Sequence, residues 1–274
     1  MIHPDLLRRV PLIADGPPGP WLKAVHPGAG PPEALNLRHP EHVQAAHEAY
    51  FRAGARVLRA NTAAANALAL AACGLADRCE AVNNAGVALL RAAVGAQGVV
   101  AGSVRALPPG TPLPDRERAY GQQLVYQMDT GVDFIWLEGG SSVEELLLWR
   151  RLAANAGDAP VLALLRIEPG GAVLGGLEPG LAARRLADGG LDALGLVSAP
   201  GQAVDAALDA LLGAGLPLAA LLEPGTLPPA DFAAALAPLA GRGVAILGGG
   251  AGAGPDHIRA LAERAGAPST APGS

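Results

Sequence analysis

The chain has 274 residues, half of them hydrophobic, which suffices for one large domain or one lightly decorated α/β barrel. A net charge of −5 with no basic run argues against a nucleic-acid partner, because phosphate must be met by clustered Lys and Arg. No run of about 20 apolar residues is present to cross a membrane. Residues 1–15 lack the apolar core and small-residue cleavage site of a secretion signal, so a cytoplasmic location is expected.

Aromatic residues make up only 3%, so Leu, Val, Ile and Ala must build the core. Val10–Asp15 reads as a first buried strand, followed by a long loop around Gly28–Pro32 and a helix over Glu41–Ala53. Ala55–Ala60 is a second strand, and Ala65–Val94 has room for two helices broken near Gly74. Cys73 and Cys79 fall in that region, six apart, a spacing that suits two reduced thiols rather than a disulfide. Val99–Ser103 and Val132–Glu138 are the third and fourth strands. Ser141-Ser142 ahead of Glu144-Glu145 supplies an N-cap for a helix over Val143–Ala154. Pro160–Arg166, Ala193–Ser198, Leu216–Leu222 and Val244–Gly248 complete eight strands. Helices over Ala182–Asp188, Ala203–Leu212, Ala230–Leu239 and His257–Arg264 follow in turn, the last with Pro255 in its first turn.

Each strand is short and apolar without clear polar alternation, as a buried parallel strand should be. Eight β/α units predict a single (β/α)8 barrel over residues 1–266, with the Pro/Ser/Gly-rich 267–274 as a disordered tail. Chemistry in such barrels sits at the C-terminal strand ends. Those ends carry Asp15, Asn61, Ser103 with Arg105, Glu138, Arg166 with Glu168, Ser198, Glu223 and the glycines from Gly248.

Several motifs occur in one order along most of the chain: Leu12-Ile-Ala-Asp-Gly16, Leu35-Asn-Leu37, Asn61-Thr62 with Asn66, Val100-Ala-Gly-Ser103 and Gly131-Val-Asp133 with Glu138. The run from Val244 through Gly250-Ala251 to Pro255, His257 and Ile258 closes the series. Together they resemble the homocysteine S-methyltransferase family. The resemblance implies a zinc ion held by three cysteine thiolates, one ending strand six and two on strand eight. Zinc keeps the substrate thiol deprotonated near neutral pH, which makes it a nucleophile for a methyl group. Here those three positions are Ser198, Gly250 and Ala251. A serine hydroxyl is a poor zinc ligand, and Gly and Ala offer no donor. No zinc cofactor is therefore expected, although cysteines restored at all three positions are expected to gather one.

The resemblance also places Asp15 and Glu138 near a substrate's amino group, and with Asn61 and Ser103 they are the candidate ligand-binding residues. His257 reads as structural, and His47 and Tyr50 as core. No His, Cys or carboxylate set with metal spacing is seen to replace the thiolates. The expected function is a degenerate family member that binds a small amino-acid-like ligand or a protein partner without thiol methyl transfer, a pseudoenzyme candidate. Two alternatives stand beside it. One is a zinc-independent methyltransferase acting on another acceptor. The other is a repurposed barrel enzyme whose anionic substrate sits on the Gly248–Gly254 loop.

Overall fold

The computed structural model describes residues 11–28, 30–202 and 204–266. Eight parallel strands run β1 (Leu12–Ile13), β2 (Val57–Arg59), β3 (Val99–Arg105), β4 (Phe134–Glu138), β5 (Val161–Arg166), β6 (Ala193–Ser198), β7 (Leu218–Leu222) and β8 (Ile246–Gly249). Each pairs with its chain neighbour from β2 to β8, and β8 pairs with β1. The ring closes between β1 and β2 through an Ala14–Val57 bridge, with Asp15 N donating to Val57 O at 3.0 Å and Arg56 N to Ile13 O at 2.7 Å. The protein is a single (β/α)8 barrel.

The helices are α1 (Pro18–Val25), α2 (Leu35–Arg38), α3 (Pro40–Arg52), α4 (Ala67–Leu70), α5 (Cys79–Val94), α6 (Leu113–Asp129), α7 (Val143–Ala156), α8 (Pro179–Asp188), α9 (Asp205–Leu212), α10 (Pro229–Leu236) and α11 (Pro255–Arg264). Gly74 adopts φ +74 and ends the turn after α4, where the sequence placed a break. Ser142 Oγ caps α7 by accepting from Glu145 N at 3.1 Å. Beside the four-residue α2, two longer helices escaped the sequence reading. In α1, Pro18-Gly-Pro20 looks like loop, yet proline suits a first helical turn. In α6 the buried positions Ala119, Tyr120, Gln123, Leu124 and Gln127 include two glutamines, so the apolar stripe is masked. The tail assigned to 267–274 lies outside the described residues. Among the described residues no helix is long and apolar enough to cross a membrane.

The side-chain period of two sorts each strand into an interior and a helix-facing set. Ala14, Val57, Ala101, Phe134, Trp136, Leu162, Leu164, Val197, Leu221 and Ile246 fill the barrel. Leu58, Val100, Ile135, Leu137, Ala163, Leu165, Leu194, Leu196, Ala220 and Leu247 pack under the helices. Continuing the interior rows to the C-terminal ends puts Arg59, Ser103, Glu138, Arg166 and Glu223 at the mouth. The same alternation that packs the core therefore delivers a polar layer above it.

Candidate functional site

The gap between Asp15 and Glu138 is filled by Arg59. Its Nε donates to Asp15 Oδ1 at 2.9 Å and its Nη1 to Glu138 Oε1 at 3.2 Å, while its backbone N donates to Asp15 Oδ2 at 3.0 Å. Nη2 reaches the carbonyls of Asp15 and Gly249 at 2.7 and 2.9 Å. The guanidinium also lies 5.2 Å from the Trp136 ring centroid, a cation–π contact. Burial works against the Arg59 charge, but Asp15 and Glu138 outweigh it and hold its pKa above the usual arginine value. Burial pushes the Asp15 carboxyl up to about 6, against the pull of Arg59. Arg59 thus lies between the two carboxylates that the family resemblance sets near a substrate's amino group, and Asp15 is 0% exposed.

Beside this plug a cleft of about 160 Å³ opens between α1 and the ends of β2–β4. Asn61, Ser103 and Glu138 line it together with Arg59, Lys23 and Arg105. Lys23 is the only lysine of the chain. Asn61 is held by a reciprocal pair: its Nδ2 donates to Asn36 Oδ1 at 2.8 Å, and Asn36 Nδ2 returns a bond to Asn61 O. Ser103 and Thr62 are coupled the same way, Thr62 Oγ1 donating to Ser103 O and accepting from Ser103 N. Asn66 does not reach the cleft wall and instead caps α4 through Ala69 N.

Glu33 also lines this cleft and was not singled out from the sequence. Its Oε1 accepts from Ala64 N at 2.9 Å, whereas its buried Oε2 has no partner. Burial raises its pKa, opposed by the Ala64 amide and more weakly by Arg105 and Lys23. Nothing in a Pro-rich loop flags such a glutamate. Arg59, by contrast, had a signal: one charged residue near the end of an otherwise apolar strand.

The β6–β8 side of the mouth is built differently. Glu223 N donates to Ser198 O at 2.9 Å and Gly250 N to Leu222 O at 2.8 Å, which draws the ends of β6, β7 and β8 together. A Cβ on Gly250 would lie 2.6 Å from Glu223 Cγ, 3.0 Å from Glu223 N and 3.2 Å from Leu222 C. Two of these three neighbours are backbone and cannot swing away. Ser198 is buried, Gly250 is buried and Ala251 is exposed. Arg166 and Glu223 form a two-pronged ion pair across this side, one prong at 2.9 Å. Part of the glycine loop above it is committed to internal hydrogen bonds. The amides of Gly249, Gly250 and Ala253 donate to Asp15 O, Leu222 O and Gly250 O, and Gly254 N donates to His257 Nδ1. Tyr50 Oη pins the loop through Ala253 O at 2.7 Å, and His257 Nε2 contacts Leu227 O at 3.1 Å. Both contacts tie the loop to neighbouring elements.

A family model described as homocysteine S-methyltransferase matches residues 12–265. The chain belongs to the homocysteine S-methyltransferase family. It is 30% identical over 298 aligned positions to a protein named methionine synthase from Mycobacterium tuberculosis, covering 94% of this chain and 25% of that protein. A methionine synthase from Mycobacterium leprae is 29% identical, covering 84% of this chain and 22% of the relative. The chain therefore spans about a quarter of the length of the curated relatives it matches. The metallated homocysteine methyltransferase MmuM from Escherichia coli superposes with a TM-score of 0.79 at 23% identity, covering 96% of this chain and all of that one. Its oxidized form gives 0.80 at 24%, covering 96% and 99%. At that identity these structures establish the shared fold alone.

Proposed function

We propose that this family member binds a small amino-acid-like ligand in the cleft of Lys23, Glu33, Asn61, Ser103, Arg105 and Glu138, without zinc-dependent methyl transfer to a thiol. The observation that carries the second half is Gly250. Ser198, Gly250 and Ala251 stand where the family resemblance calls for thiolates, and at Gly250 even a Cβ would crowd the Glu223 side chain at 2.6 Å. The residues present do not fit a zinc ion there, since they offer one hydroxyl and backbone groups. No methyl-transfer step is routed through that position.

The first half follows from charge. Lys23 and Arg105 offer cations to a ligand carboxylate, and Glu138 offers a carboxylate at the edge of the same cleft. Because Asp15 is buried and paired to Arg59, an ammonium group would meet Glu138 and not Asp15. Four amides of the Gly248–Gly254 loop are already hydrogen-bonded, which leaves fewer donors for the anionic-substrate alternative.

Calorimetry with homocysteine, methionine and S-methylmethionine tests the reading. One of the three should bind, and Lys23→Ala and Glu138→Gln should each weaken it about tenfold or more, the worth of one charge-assisted hydrogen bond. Incubation of homocysteine and S-methylmethionine with the protein and added zinc should yield no methionine above the uncatalysed rate. Binding of none of the three, or binding indifferent to both substitutions, overturns the cleft assignment. Zinc-dependent turnover overturns the loss of the thiol chemistry.

A further inference from the structure

Three of the six histidines in the chain gather where α1 ends and α3 begins. The His26 ring stacks on His39 with centroids 4.7 Å apart and lies 4.6 Å from the ring of His42, and His39 and His42 are 5.6 Å apart. His26 Nε2 and His42 Nδ1 share a hydrogen bond of 2.5 Å. Glu41 completes the group, with Oε1 3.5 Å from His39 Nδ1. One ligand atom from each of His39, Glu41 and His42 lies within 4.8 Å of the others.

We propose that His39, Glu41 and His42 form a surface site for one divalent transition-metal ion of the zinc class, with His26 steadying His42 from the neighbouring helix. Local sequence explains the assembly. His39 sits at the N-cap of α3, Pro40 starts the helix, and Glu41 and His42 follow in the first turn. Three ligands thus come from four consecutive residues on one rigid helix start. Imidazole and carboxylate are donors that suit zinc, nickel or copper. Tetrahedral zinc with bonds of about 2.0–2.1 Å spaces its ligand atoms about 3.3 Å apart. Rotation of half-exposed side chains closes the remaining distance, because Glu41 is exposed and His39 and His42 are only partly covered. With His42 ligating through Nε2, its Nδ1–H would donate to His26 Nε2, the kind of outer contact that orients a ligating histidine. None of the four residues lies near the ends of β6 and β8, where Ser198, Gly250 and Ala251 sit, so this is not the family's thiolate position displaced. The reading of the sequence found no such set, yet His39-Pro-Glu-His42 is its trace. An ion held there would act on α1, which carries Lys23 of the cleft, only through the contact between His26 and His42.

The test is titration of Zn²⁺ into tag-free, chelator-treated protein, followed by calorimetry. One ion per chain should bind saturably. The double substitution His39→Ala, His42→Ala should abolish that binding, and His26→Ala should weaken it about tenfold or more. Circular dichroism checks that each variant is folded. If the double variant does not fold, Glu41→Gln at an exposed position decides, with at least a tenfold loss of affinity expected. Absence of saturable binding in the parent overturns the site. So does affinity left unchanged by the double substitution or, where that variant does not fold, by Glu41→Gln.

Discussion

On the β2–β4 side of the barrel mouth the protein keeps charged and amide side chains and leaves a cleft between them. On the β6–β8 side small residues let the backbone of β7 close onto Gly250. Both sides grow from the same strand alternation. The difference lies in what the last residue of each strand brings. Long polar groups such as Arg59 and Glu138 must be satisfied, so they prop a cavity around their hydrogen bonds. Glycine demands nothing, so neighbouring backbone moves in until van der Waals contact stops it. A small residue at a strand end therefore leaves neither the space nor the donor that a long polar side chain brings.

The sharpest way to break this comparison is Arg59→Met. It leaves Asp15 buried without its cation, and breaking a buried pair from one side costs about 3–5 kcal/mol, to be read by denaturant unfolding. Adding Asp15→Asn should recover much of that loss. A loss below about 1 kcal/mol would mean that Arg59 is no strut of the open side.

Acid should also act through buried groups around β1, β2 and α3. Burial lowers the His47 pKa from 6.5 to about 4, and both its ring nitrogens lack partners. The unfolded chain takes a proton near 6.5 while the folded one waits until about 4. The contribution of His47 to stability is therefore full above 6.5 and is lost as pH falls toward 4. At about 1.4 kcal/mol per pH unit the change is about 3 kcal/mol. Asp15, raised from 3.8 to about 6, acts with the opposite sign, its contribution falling as pH rises through that window. The difference in unfolding free energy between the parent and His47→Leu isolates the histidine. A difference that is flat between pH 7 and pH 4 would refute it.

Smaller effects should separate two matched glycines. Gly250→Ala forces a Cβ against the Glu223 side chain and, more loosely, its backbone, and should cost about 1–3 kcal/mol, the usual range for overpacking. Gly19→Ala meets only the Pro32 ring at 3.4 and 3.7 Å, ordinary contact, and should shift stability by less than about 0.5 kcal/mol. For the same reason Ser198→Cys, Gly250→Cys and Ala251→Cys together should not gather zinc, contrary to what the sequence led us to expect. That experiment belongs in a background carrying His39→Ala and His42→Ala. Stoichiometric zinc in the triple-cysteine protein would show that β7 can withdraw and that the closed side is only collapsed.

Much of the architecture was legible because it rests on period. Apolar runs such as Ala193–Ser198 and Leu216–Leu222 announce buried parallel strands, and Ser142 announces the start of α7. α6 stayed hidden because its inner face is part glutamine. In the mouth, Asn61, Ser103 and Glu138 were legible as strand ends. Glu33 and Lys23 were not, because they reach the cleft from the segment after β1, where no period applies.

By itself the sequence determined the barrel, the polar character of its mouth and the absence of thiols at Ser198, Gly250 and Ala251. These follow from local pattern and residue chemistry, which need no partner to be read. Only the tertiary structure decided that Arg59 fills the space between Asp15 and Glu138, that Glu223 closes over Gly250, and that His26 meets His39 and His42. Each is a contact between distant stretches of chain, and its geometry depends on how the strands twist and the helices dock. No local pattern in the sequence encodes that.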